Sequence, residues 1–186
     1  MKQRLYAPGP VELPPEVLAA LARPVQHHRT PDYVKLQERV QARLAEVFMV
    51  GADEVISLSS SGSGAMEAAF LACVPAGSTV IALNAGKFGE RWVRLARAFH
   101  FEVIEVSAPW GSCVQPEQLA EALQANPGVS AVLATHSETS TGVLHDIEAL
   151  AAVTRQLQPQ ALFLVDAVTS LAAAELRPLD WNPDAV

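Results

Sequence analysis

The stretch Ala131-Val132-Leu133-Ala134-Thr135, followed at once by His136-Ser137-Glu138-Thr139-Ser140-Thr141-Gly142, decides how the rest of the chain is read. Its first five residues carry no alternation of apolar and polar side chains, so both faces of the segment must be covered. That is the pattern of a strand inside a parallel sheet with helices on each side. The six polar residues after it cannot be explained by packing, because a buried imidazole, carboxylate or hydroxyl needs a partner. In a parallel α/β sheet ligands bind where strands end, so this loop is a candidate binding site.

The same grammar recurs on both sides. Strands are expected at Glu54–Leu58, Thr79–Leu83, Glu102–Val106 and Leu162–Val165, with helices at about 65–73, 89–99, from Pro116, and near Ile147–Leu157. The expected fold is a three-layer α/β/α arrangement around a mainly parallel sheet, covering residues 51–186. Residues 1–50 differ: they hold an extended segment, Ala7–Pro15, and two helices at about 15–22 and 33–50. Val34, Leu36, Val40, Leu44 and Val47 make an uneven apolar stripe on the second, suited to packing against the domain or a partner subunit.

Composition narrows the function classes. Of 186 residues half are hydrophobic, and 13 basic against 20 acidic side chains give a net charge of −7. A chain of this balance buries a core, and it lacks the concentrated basic face that nucleic acid or an acidic membrane surface requires. No apolar run is long enough to span a bilayer and the N-terminus has no secretory pattern, so a cytoplasmic location is expected. Cys73 and Cys113 lack metal-ligand spacing, so no metal site is expected; Cys73, in an apolar helical run, is expected to be a small core residue.

Three further strand ends carry candidate chemistry. Ser59-Ser60-Ser61-Gly62-Ser63-Gly64 opens a helix, where small residues and outward N–H groups could cradle a phosphate, or simply turn the chain. It has neither the ending of a nucleotide P-loop nor the spacing of a hydrolase elbow. Asn84-Ala85-Gly86-Lys87-Phe88-Gly89 could present the Phe88 ring to a planar ligand, or bury it as an ordinary aromatic. Asp166, closing Leu162-Phe163-Leu164-Val165, is either a helix cap or a charge placed beneath a ligand.

Taken in order, these motifs resemble the class V aminotransferases of the pyridoxal-phosphate fold-type I superfamily, which includes alanine–glyoxylate, serine–pyruvate and some aspartate aminotransferases. The resemblance spans the chain: Ala7-Pro8-Gly9-Pro10-Val11, His27-His28-Arg29, Ser61-Gly62-Ser63-Gly64-Ala65-Met66-Glu67, Phe88-Gly89-Glu90-Arg91-Trp92, His136 to Val143, and Val165-Asp166-Ala167-Val168-Thr169-Ser170. It implies that Ser63, Gly64 and Ala65 hold the phosphate of pyridoxal 5'-phosphate. Phe88 would stack on its ring, Thr139 would lie beside the ring and its phenolic oxygen, Asp166 would pair with the pyridinium nitrogen, Val168 would pack on the opposite face, and Gly9 would bring main chain to the substrate.

The resemblance further implies a homodimer that moves an amino group between a small amino acid and a 2-oxo acid. The family's Schiff-base lysine lies roughly two dozen residues beyond the aspartate, whereas this chain runs 186 − 166 = 20 residues past Asp166 and holds only Lys2, Lys35 and Lys87. The segment is therefore expected to be an incomplete large domain without the C-terminal small domain, inactive alone. Two other readings stand beside it: a non-catalytic cofactor-binding or interaction module, and a subunit of the kind named soluble hydrogenase small subunit. A hydrolase built on Ser63, His136 and Asp166 is disfavoured by its spacing and residue order.

Overall fold

A computed structural model describes residues 4–186; Lys2 lies outside them. The chain divides into two compact units, 1–55 and 56–186. In the first, helix α1 (Pro15–Leu21) and helix α2 (Pro31–Phe48) each begin on a proline, whose fixed φ suits a first helical position. Thr30 caps α2 by accepting from the Tyr33 N–H at 3.3 Å, and Met49 ends it in the left-handed region. Val34, Leu36, Val40 and Val47 of the expected stripe are exposed.

The second unit contains α3 (Gly62–Cys73), β1 (Thr79–Asn84), α4 (Lys87–Ala98), β2 (Glu102–Ser107), α5 (Pro116–Ala125), β3 (Ala131–Thr135), β4 (Ser137–Glu138), β5 (Val143–Leu144), α6 (Ile147–Leu157), β6 (Leu162–Asp166) and α7 (Pro178–Trp181). Four strands form a parallel sheet in the order β2-β1-β3-β6, while β4 and β5 make a small antiparallel hairpin after β3.

Two separate cores flank the sheet. Val80, Ala82, Ala131, Leu133 and Leu164 face one way and pack with Met66, Phe70, Trp92 and Val93 of α3 and α4. Their neighbours Ile81, Leu83, Val132, Ala134, Phe163 and Val165 face the other way, onto Leu119 and Leu123 of α5 and Ile147 and Leu150 of α6. The period-two alternation of Cβ directions turns apolar strands into two cores, which makes the three-layer fold. Trp92 crosses from helix to sheet, its Nε1–H donating to the Ala134 carbonyl at 3.1 Å.

Two expectations are corrected. No strand forms at Glu54–Leu58: Ala52–Glu54 is a single 3-10 turn, and Ile56 and Leu58 are 81% and 51% exposed. A β-branched run becomes a strand only when a neighbour completes its ladder, and no described residue pairs with this one. Cys73, expected in the core, is exposed at the last turn of α3, where Met66 and Phe70 take the buried face. The sheet extends beyond β6 through a parallel bridge from Leu164 to Ala185, and Asp184 accepts from the Phe163 N–H at 2.6 Å.

Candidate active site

The chain runs from β1 outward to β2 and then returns to place β3 on β1's other side. The strand order therefore switches between β1 and β3, and the crevice of such a sheet opens beyond their carboxyl ends. Four of the sequence-derived segments lie around this edge.

Asp166 ends β6 directly beside Thr135, the last residue of β3. It is 8% exposed, and its Oδ1 accepts from the Val168 N–H at 3.0 Å. No helix starts here, because the chain goes on into turns at 168–173, so the cap reading falls away. Burial pushes the Asp166 carboxyl above the ordinary carboxylate range. The Val168 N–H and the Arg91 guanidinium pull it back, and the Glu138 charge adds to the rise. A carboxylate kept in a nearly dry place with a cation nearby suits a charged partner arriving from outside the chain.

Arg91 also packs its guanidinium 4.9 Å from the centroid of the Phe88 ring, one turn back on α4. Phe88 is half-buried and Val168 is exposed. Val168 nonetheless lies against the opening of α3: a Cβ placed on Gly62 would meet its Cγ2 at 3.4 Å.

At the start of α3, Ser61 is the cap, its Oγ accepting from the Gly64 N–H at 3.3 Å and its carbonyl from the Ala65 N–H at 3.1 Å. The first-turn N–H groups of Gly62 and Ser63 keep no intrahelical acceptor, so the positive end of the helix is open to an anion there. A Cβ on Gly64 would come within 2.0 Å of the Ser60 Oγ, so the Ser60 hydroxyl would have to turn aside.

The polar loop after β3 is the hairpin β4–β5, and its centre is Glu138, which is fully buried. Glu138 accepts from the Phe88 N–H at 3.0 Å and the Gly89 N–H at 2.9 Å through Oε2, and from the Ser140 hydroxyl through Oε1. Ser140 in turn accepts from the Lys87 N–H at 3.0 Å. Thr139 stands between them, half-buried. Beside the hairpin, Thr135 Oγ1 and His136 Nδ1 are buried with no hydrogen-bond partner among the described residues. Burial lowers the pKa of both imidazoles; each is further affected by its neighbours, His145 lowering His136, while the Thr135 backbone and Glu138 pull His145 weakly upward.

Lys87 sits elsewhere. Its ammonium binds Glu90 at 2.7 Å and lies 5.5 Å from the Trp110 ring centroid, in a 370 Å³ cavity on the β2 side of α4 together with Arg94, Arg97 and Glu105. Gly9 lies in the first unit, exposed. Sequence reasoning placed Glu138 in the candidate loop as a carboxylate in need of a partner without naming that partner, and it passed over Arg91, whose available signal was a cation one helical turn past Phe88.

The fold is an open parallel α/β sheet with a buried aspartate and a half-buried aromatic beyond its strand ends. The chain belongs to the class-V aminotransferase family, whose model matches residues 9–185. Members of this family depend on pyridoxal phosphate, and the fold is that of the fold-type I enzymes. The chain is 39% identical over 181 residues to a soluble hydrogenase 42 kDa subunit of Anabaena cylindrica, covering 96% of this chain and 46% of that protein. It is 31% identical to the L-aspartate–glyoxylate aminotransferase of Paracoccus denitrificans, covering 97% and 46%. Among solved structures, the alanine–glyoxylate aminotransferase of Nostoc sp. superposes with a TM-score of 0.89 at 32% identity, over 96% of this chain and 47% of that one. The chain thus spans about half the length of the curated relatives it matches. No described helix is long and apolar enough to cross a membrane.

Proposed function

We propose that these residues form part of the cofactor-binding half of an aminotransferase that moves an amino group between a small amino acid and a 2-oxo acid. The observation that carries the reading is Asp166: a buried carboxylate at a strand end, capping no helix, accepting from the Val168 N–H and with the Arg91 guanidinium nearby. Residues 51–186 then contribute the large domain, residues 1–50 an N-terminal arm bearing Gly9, and sequence outside these 186 residues the small domain and the lysine. A homodimer is part of the same proposal, with the exposed stripe of α2 as one surface that a second subunit would cover.

The residues present fit pyridoxal phosphate. The open N–H groups of Gly62 and Ser63, with the Ser63 hydroxyl, would hold its phosphate alongside Gly64 and Ala65. Phe88 would offer the ring face that Arg91 leaves free, with Thr139 at the ring's edge and Val168 on the other side. When bound, the cofactor supplies an electron-withdrawing ring that stabilises negative charge at the substrate's α-carbon. Asp166 would keep the proton on the ring nitrogen, because an ionised carboxylate favours a cation beside it. Fixing the ring at both ends sets the orientation in which the α-proton leaves.

In the complete protein, Asp166→Ala is expected to lower transamination by about 10³-fold, the scale of losing a preorganised charge in a dry site, with circular dichroism unchanged. Transamination retained at the wild-type rate would overturn the reading. The name of the Anabaena relative favours a second one, a hydrogenase-associated subunit. Hydrogen uptake without transamination by the complete protein would select it.

A further inference from the structure

Helix α4 has no cap of its own. Its N-cap position is Gly86, where a Cβ would meet the Ser140 Oγ at 2.5 Å and the Glu138 Cδ at 2.6 Å. The three N–H groups that open the helix, on Lys87, Phe88 and Gly89, are instead taken by Ser140 and Glu138, about fifty residues later in the chain. The Thr141 hydroxyl lies 3.4 Å from the Ala85 carbonyl, adding to the same seam. A buried carboxylate on a helix N-terminus is a strong cap, since charge-assisted bonds and the helix dipole act together away from water.

Glu138 is also the residue directly before Thr139, and it binds the amide of Phe88 itself. We propose that Glu138 is a positioning residue: by bridging the β4–β5 hairpin to the first turn of α4, it fixes the Phe88 ring and the Thr139 hydroxyl relative to one another. The inference rests on the aminotransferase reading for what those two residues touch, and on the hydrogen bonds alone for the clamp. What matters is reach. A glutamate spans from the hairpin to two helix amides while still accepting from Ser140; an aspartate, one methylene shorter, keeps the charge and loses the span. A glutamine keeps the span, with its carbonyl on the Phe88 and Gly89 amides and its NH₂ turned to the Ser140 hydroxyl.

The test uses the 186-residue chain with two probes that need no lysine, pyridoxamine 5'-phosphate and inorganic phosphate, measured by calorimetric titration, together with amide exchange at Phe88 and Gly89. Glu138→Asp is expected to weaken pyridoxamine 5'-phosphate about tenfold or more, the scale of losing hydrogen bonds to a charged group, and to speed exchange at both amides similarly. Glu138→Gln should retain most of both, and phosphate affinity should change less than about twofold in either variant because the α3 turn is untouched. An Asp variant that binds pyridoxamine 5'-phosphate better than the Gln variant would mean charge alone matters and overturn the proposal. Equal losses for phosphate and pyridoxamine 5'-phosphate would mean a general structural role and overturn it too. Unchanged exchange at Phe88 and Gly89 in the Asp variant would overturn the clamp outright. If the wild type binds phosphate but not pyridoxamine 5'-phosphate, the cofactor reading fails, and the exchange rates still decide whether Glu138 holds the helix.

Discussion

Helices α3 and α4 both begin beside glycines at the binding edge of the second unit, yet they finish their N-termini in opposite ways. The first caps itself with Ser61, three residues from the amide it serves, and leaves the Gly62 and Ser63 amides free of intrahelical acceptors. The second is capped from across the fold, with its first three amides occupied by Ser140 and Glu138. A locally capped helix can still receive an anion; a helix filled from outside cannot, and becomes a mount for whatever side chain its first turn carries. In the proposed site this contrast would make α3 the phosphate end and α4 the holder of the aromatic.

The contrast is broken most strongly by adding one carbon. Gly86→Ala would drive a Cβ into Glu138 and Ser140, and about 3 kcal/mol of stability should be lost in urea unfolding of the chain, from overpacking and disrupted hydrogen bonds. The same change at α3, Gly62→Ala, places its carbon at ordinary contact distance from Val168 and should stay within about 0.5 kcal/mol. Comparable costs at the two sites would show that α4 is not filled as described.

Acidification presses on the hairpin side through its two buried histidines. His136 and His145 are held below the ordinary histidine range mainly by burial, so the unfolded chain binds protons more readily than the folded one. Stability is therefore full above the unfolded pKa and falls as pH drops below about 6.5, by at most roughly 1.4 kcal/mol per pH unit for each histidine. Urea midpoints at pH 7.5, 6.5 and 5.5 check the sign; a midpoint that rises on acidification through this range would contradict it. Asp166 works the other way: its carboxyl is raised by burial, so its ionisation costs stability as pH rises through its folded value.

A smaller loss sharpens the local end of the comparison. Ser61→Ala removes an N-cap and should cost about 1 kcal/mol, while releasing the Gly64 amide and leaving phosphate affinity equal or higher by titration. Weaker phosphate binding would mean that Ser61 is itself part of the anion site.

Much of the fold could be read directly from residue order. Apolar runs such as Val132–Ala134 and Phe163–Val165 announced strands because burial on both faces leaves a one-dimensional trace, and Pro116 marked the start of α5 by local chemistry. Val55–Leu58 misled because β-propensity says nothing about whether a neighbour is present to complete the ladder. Cys73 misled because an apolar helix in which alanine abounds does not declare which face it buries. At the site, Asp166 and Phe88 were visible from their places after strands and the Ser/Gly turn from its composition, whereas the partners of Glu138 and Arg91 were not, since they lie on other elements.

By itself the sequence determined the α/β class, the strands that form the sheet and the residue types waiting at its edge, because periodicity and capping act over a few residues. Only the tertiary structure decided which helix end stays open and which is filled. That choice depends on β3 lying beside β1, which brings a hairpin fifty residues away onto the amides of α4. Burial leaves its mark along the chain, but a hydrogen bond between distant elements exists only once the sheet has set its order.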